Sequence, residues 1–289
     1  MSTVNWQEFK VRCSAISKMM SNSRSTPVLT ENGLKRIEEL ESKTNITEKQ
    51  KQELAELHVK KENGNKIILS DTCIDYLMEV YAWKKEGMIS VSRESLDMMQ
   101  MRKGKLVEHE SIKLLSLVKG VIYEKNSIQV YNDYLTGEPD VFSGTEIMKA
   151  DVIEDTKTVW DYPTFLSCIN KPVENSNILQ IKGYCDITGA KEGWVSKCLV
   201  SAPFEIIEDM KWKVAKKFGA VTIESPDFIK EWSKWENSMI FDKIPIHKRV
   251  FSQKIDLFTD FERQKVYDRV KICRDWLFLF DEQYESMNI

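Results

Sequence analysis

The alternation of apolar and polar positions divides the 289-residue chain into helical and strand-like stretches. Residues 5–21 are mildly amphipathic and predict a helix, and "NSRSTPVLT" (22–30) predicts a loop. From Glu31 to Glu62 large apolar residues become sparse. Leu34 and Ile37, then Leu54 and Leu57, recur three apart among charges, and Thr47 followed by Gln50 has the form of a capping box. This predicts a charged helical hairpin, an insertion with solvated outer faces, with an arm touching DNA or another subunit as the alternative. Asp71–Glu86 reads as a helix ended by Gly87, and Ser92 as the cap of a long helix running to about Val118. Residues 127–135 read as a strand, and two more follow within Leu135–Val159. Tyr162–Lys171 and Ile178–Thr188 read as helices, "GWVSKCLVSAP" as a strand ended by Pro203, and the remainder as mainly helical, with Asp209–Phe218, Asp227–Met239 and about Thr259–Glu285.

Helix, meandering strands, helix, strand and helices imply an α/β or α+β architecture, a small central mixed sheet flanked by helices. The reading is one domain, 1–289, with a hairpin insertion at 31–62 and a helical C-terminal extension at 204–289.

Composition narrows the class only slightly. Hydrophobic residues make up 42% and charged residues 30%, ordinary for a soluble globular chain. No apolar run approaches the roughly 20 residues that span a bilayer, and the first residues lack a signal-peptide layout, so the expected location is the cytoplasm. The six cysteines (Cys13, Cys73, Cys168, Cys185, Cys198 and Cys273) contain no Cys-x-x-Cys pair and read as reduced thiols. A net charge of −3 does not decide the question: a protein that coats DNA by charge alone is usually strongly basic, but an acidic metal pocket beside a local basic groove is compatible with a slightly acidic chain. His58, His109 and His247 form no metal-spaced cluster, and the C-terminal aromatics (Trp232, Trp235, Trp276, Phe278, Phe280) read as packing between helices.

The chemistry concentrates in "LTGEPDVFSGTEIMKADVIEDTKTV" (Leu135–Val159). A strand alternates its side chains, so in "VIEDTKTV" Ile153, Asp155, Lys157 and Val159 share one face. A carboxylate and an ammonium on a half-buried face require each other, a metal or a substrate. For an isolated Asp-x-Lys the salt bridge alone is the stronger reading. Asp140, delivered by the turn "TGEP", changes this if its strand pairs with 151–159, because two converging carboxylates repel and a divalent cation relieves the repulsion. Oxygen ligands suit Mg²⁺ or Mn²⁺. Glu108, between Gly104 and Ile112 at four-residue spacing, is a third acid that can point inward, and Gln180 and Tyr184 share a face of their helix.

In this order the pieces "GKLVE" (104–108), "EPD" (138–140), "DTK" (155–157) and "QIKGY" (180–184), followed by "GWVSKCLV", resemble the PD-(D/E)xK nuclease superfamily. The likeness is to its phage lambda-type exonuclease (YqaJ-like) branch and RecB-type relatives, over residues 90–202. The resemblance implies a restriction-endonuclease-like core and a nuclease using one or two Mg²⁺ or Mn²⁺ ions. It implies metal ligation by Asp140, Asp155, the Thr156 carbonyl and Glu108, with Lys157 as catalytic lysine and Gln180 and Tyr184 completing the site. Arg12 and Ser14 in "FKVRCSAISKMM" correspond to a segment that holds a DNA phosphate, although their spacing departs from the family pattern. Implied partners are duplex DNA ends, a single-strand annealing protein and further copies of the chain, with 5′-to-3′ degradation in a phage-infected bacterium. The alternatives are a RecB- or Cas4-like nuclease acting on single-stranded or branched DNA, the Cas4 version weakened by the lack of a four-cysteine cluster, and an inactive DNA-binding or interaction protein that keeps the fold. Walker-type, nucleophile-elbow and His-Glu-x-x-His motifs are absent from the sequence.

Overall fold

In the computed structural model the described residues are 4–22, 31–43, 45–64, 69–89, 99–220 and 222–287. They fall into two compact units. The first takes its described residues from Met1–Phe9, Lys18–Ile89 and Val266–Ile289, the second from Lys10–Ser17 and Ser90–Lys265.

The expected N-terminal helix is instead broken into short pieces. A 3-10 turn at Trp6–Glu8 precedes strand β1 (Val11–Arg12), a second turn at Cys13–Ala15 and helix α1 (Ile16–Met19). Tertiary pairing overrides the weak local periodicity, because β1 adds to another strand in the second unit. In the first unit, α2 (Glu31–Glu41) and α3 (Glu48–Gly64) form the expected charged hairpin. Arg36 clamps both carboxylate oxygens of Glu53 at 2.9 and 3.0 Å. The capping box closes as expected, with the Gln50 amide donating to Thr47 Oγ1 and the Thr47 amide to Gln50 Oε1. Helix α4 (Asp71–Glu86) begins at Ser70, whose hydroxyl accepts from the Cys73 amide, and ends at Gly87 with φ 68°.

The long helix expected to reach Val118 is interrupted. Helices α5 (Met99–Leu106) and α6 (Glu108–Lys119) break at the buried Val107, so Glu108 opens a new helix rather than lying within one. Ser92, its expected cap, and the loop residues 23–30 lie outside the described residues.

Beyond α6 the second unit holds β2 (Glu124–Lys125), β3 (Val130–Tyr131), β4 (Leu135–Gly137), β5 (Val141–Ser143), β6 (Val152–Thr158), α7 (Tyr162–Asn170), α8 (Asn175–Thr188) and β7 (Glu192–Cys198). Helices α9 (Phe204–Phe218) and α10 (Pro226–Asn237), strand β8 (Val250–Ile255) and α11 (Asp260–Ser286) follow. β8 corrects the reading of 204–289 as a helical extension. Its residues pair antiparallel with β7, so this segment supplies the last strand of the central sheet. "VFSQKI" has only six residues and an exposed lysine, too short a pattern to separate from the helices around it.

Two sheets result. The larger runs β2-β5-β6-β7-β8, parallel only between β6 and β7, and the smaller runs β1-β4-β3. The chain crosses from one sheet to the other at Glu138–Asp140. Pro139 has no amide hydrogen to continue a ladder, so β4 stops there and β5 starts anew. The two faces of β6 meet different helices. Toward α6, Ile112, Leu114, Leu115, Val141 and Cys198 form one core cluster. Toward α8, Gly193 lets Ile181 approach so closely that a Cβ there would lie 2.4 Å from Ile181 Cγ2. Trp232 is buried beside Phe228, Trp235 packs on the same cluster, and Trp276 stacks on Phe280 at 5.3 Å.

Candidate active site

Register brings the first two acids together. Val141 pairs with Glu154 and Phe142 with Ile153, so Asp140, one residue before β5, falls opposite Asp155. Directly opposed residues of an antiparallel pair share a face, here the α8 face. Asp155 is 0% exposed. Its Oδ1 accepts from Lys157 Nζ at 2.8 Å, and its Oδ2 is buried without a hydrogen-bond partner.

The electrostatics match that geometry. Burial first, then the charge of Asp155 and a hydrogen bond with it, push the Asp140 carboxyl up to about 7, against the pull of Lys157. For Lys157 burial disfavours the ammonium, but the charge and hydrogen bond of Asp155, with Asp140 behind them, raise it above the ordinary lysine value. Lys157 is therefore cationic at neutral pH.

Two closely set acids, one of them attracting a proton and the other leaving an oxygen unmatched, form a donor set that fits a hard divalent cation. Asp140 and Asp155 would hold it. Thr156 lies between Asp155 and Lys157, its own Oγ1 buried without a partner on the opposite face. β5 reaches only to Glu154 in its ladder with β6, which leaves the Asp155–Thr158 edge without a strand on that side among the described residues. Glu108 stands apart: Lys125 holds it at 2.6 Å near the surface, and its charge reaches Asp140 only as a minor contribution. Among the described residues no three His, Cys, Asp or Glu side chains gather into a metal cluster.

On α8, Gln180 Nε2 donates to Tyr184 Oη at 3.0 Å. Burial raises the Tyr184 phenol above its usual range, the Gln180 amide draws it back, and Asp140 and Asp155 raise it further. Tyr184 stays close to β4 because Gly137 has no side chain; a Cβ there would sit 2.5 Å from the tyrosine ring. Arg12 and Ser14 are exposed and flank Cys13, whose sulfur packs against Gly183 of α8.

Two supporting groups escaped the sequence reading. Glu154, next to Asp155 but on the α6 face, is 0% exposed and accepts from Lys119 Nζ at 2.7 and 2.9 Å. Lys103, buried in α5, donates to the Val159 and Trp160 carbonyls at 3.0 and 2.9 Å and so ties down the exit of β6. Burial pushes its ammonium down to about 8. Alternation already placed Glu154 away from Asp155, but nothing local marked it as buried.

The chain matches no family model and no curated protein. Solved structures match along nearly its whole length. A phage-related exonuclease from Haemophilus somnus 129PT aligns with TM-score 0.60 and 18% identity, over 96% of this chain and 97% of that one. An alkaline exonuclease from Laribacter hongkongensis aligns with TM-score 0.54 and 12% identity, over 99% and 98%. The same enzyme in complex with dAMP gives TM-score 0.52 over 98% and 94%. The chain has the fold of these exonucleases. The mixed α/β architecture expected from sequence is therefore the observed one, and among the described residues no helix is long and apolar enough to cross a membrane.

The raised Asp140 has a measurable consequence in metal-free protein. Its folded value of about 7 exceeds the ordinary carboxyl value near 3.8, so the folded state binds the extra proton between them. The penalty is fully present above about pH 7 and is relieved as pH falls through that value. In EDTA, Asp140→Asn should therefore melt above wild type at pH 8, and the difference should shrink by pH 5. Thermal denaturation across that range checks it, and a difference independent of pH contradicts the assignment.

Proposed function

We propose that this protein is a Mg²⁺- or Mn²⁺-dependent deoxyribonuclease that hydrolyses phosphodiester bonds from the ends of linear duplex DNA, in the 5′-to-3′ direction. The observation that carries the reading is the half-buried Asp140 set against the fully buried Asp155, with Lys157 on the same face, in a fold shared with exonucleases. A bound divalent ion supplies Lewis acidity and lowers the pKa of water. The chain's own residues do the rest. Asp140 and Asp155 provide the anionic oxygens that hold the ion. Lys157, an ammonium already fixed by Asp155, offers its remaining protons to the attacking water or a phosphate oxygen, where negative charge develops. Gln180 and Tyr184, joined side by side over the same face, orient that phosphate by hydrogen bonding.

The test uses end-labelled linear duplex, blunt and with either overhang, beside a covalently closed circle of the same sequence. With Mg²⁺ the linear duplex should lose its 5′ label first while the circle stays intact, and EDTA should stop the loss. Equal attack on the circle would remove the dependence on ends, and cleavage in EDTA would remove the metal.

A further inference from the structure

Lys157 has a neighbour that the active-site constellation does not use. In the parallel ladder of β6 and β7, Lys157 is paired with Lys197. Gly193 faces Ile181 of α8, so by alternation Val195 and Lys197 face the same way, on the side that carries Asp155 and Lys157. Adjacent strands lie about 4.8 Å apart, so the two lysine stems rise next to each other.

The surroundings of Lys197 offer it little. Its partner on the other side, in β8, is Phe251, which packs on the apolar cluster of Val159, Phe165, Leu199 and Phe241. Lys197 is half-buried, yet its ammonium makes no ion pair or hydrogen bond with any described residue. Three other buried or half-buried lysines packed on this sheet are matched: Lys119 by Glu154, Lys182 by Glu262, Lys103 by two carbonyls. Asp155, two residues from Lys157 on this face of β6, already spends Oδ1 on Lys157. Like charges directly opposite on neighbouring strands are destabilising. A lysine pair on a functional face with one member unmatched is therefore arranged for an anion that both can reach.

We propose that Lys197 is a second phosphate-binding residue, its ammonium and that of Lys157 together holding a backbone phosphate of the DNA strand being cleaved. The assignment rests on the nuclease reading and deepens it. Lys157 is committed to Asp155 and the reacting phosphate, whereas Lys197 contributes binding and register along the strand.

The experiment compares wild type, Lys197→Met and Lys197→Arg by fluorescence anisotropy on a short duplex in EDTA, from about 50 to 200 mM KCl. Loss of one phosphate contact should weaken binding about tenfold at the lower salt and reduce the slope of log affinity against log salt by about one. Lys197→Arg should keep the slope. In Mg²⁺ assays Lys197→Met should raise KM more than it lowers kcat. Its melting temperature without DNA should equal or exceed wild type, since a like-charge pair is relieved. Unchanged affinity and slope in Lys197→Met, or a lower melting temperature with KM unaltered, overturns the assignment while leaving the nuclease reading in place. A wild-type protein that neither binds nor degrades duplex overturns both.

Discussion

Lys157→Ala is expected to lower kcat for Mg²⁺-dependent cleavage by at least about a hundredfold, the loss that follows removal of one donor aimed at developing charge. Affinity for DNA in EDTA should fall far less, because Asp155 already offsets much of this ammonium's charge and Lys197 still holds the backbone phosphate. The substitution also removes the counter-charge of two adjoining acids. Asp155 then loses the ammonium at Oδ1 in a fully buried position, and the Asp140 carboxyl, already raised to about 7, loses the one charge drawing it down. In EDTA the variant should therefore be more strongly destabilised at pH 8 than at pH 6, and Mg²⁺ should recover stability without recovering rate. Single-turnover kinetics with melting curves separate these effects. A Lys157→Ala protein that keeps a third of the wild-type kcat removes the lysine from the chemistry.

Lys119→Met should behave in the opposite way. It leaves Glu154, 0% exposed, without its cation, and breaking a buried pair from one side costs about 3–5 kcal/mol. The lower half of that range is expected, because Tyr123 and Ser196 still donate to Glu154. Urea denaturation measures the loss. Removing the acid as well, in Lys119→Met/Glu154→Leu, should return most of it, since paired charges exchanged for apolar groups of similar volume are close to neutral. The folded fraction should keep wild-type kcat. A loss of activity at full stability would instead place Lys119 on the functional side of β6. Glu154 and Asp155 are neighbours in the chain, yet one lesion is in stability and the other in rate, because strand alternation turns them to opposite faces.

Much of the local structure was legible from the chain. The hairpin with its Thr47–Gln50 box, the helix from Asp71 to Glu86 and the stop at Gly189 depend on residues within a turn of one another, and they form as read. The misreadings share a different cause. β1 and β8 are short and carry weak patterns, and each exists because a distant strand accepts it, β4 for the first and β7 for the second. The break at Val107 has no glycine or proline to announce it. It detaches Glu108 from the inward-facing position that four-residue spacing suggested and leaves it with Lys125.

For the candidate site the division is sharp. The sequence by itself determined that Asp155 and Lys157 share a face, that a turn through Pro139 delivers Asp140 to the start of a strand, and that Gln180 and Tyr184 stand together on a helix. Each follows from backbone periodicity or from the missing amide hydrogen of proline, which need no partner. Only the tertiary structure decided that Asp140 falls opposite Asp155, that Glu154 is sealed beneath α6 with Lys119, and that Lys197 stands beside Lys157. Those outcomes are set by register between strands far apart in the chain. Shifting a strand by one residue would turn every side chain to the other face without changing any local preference.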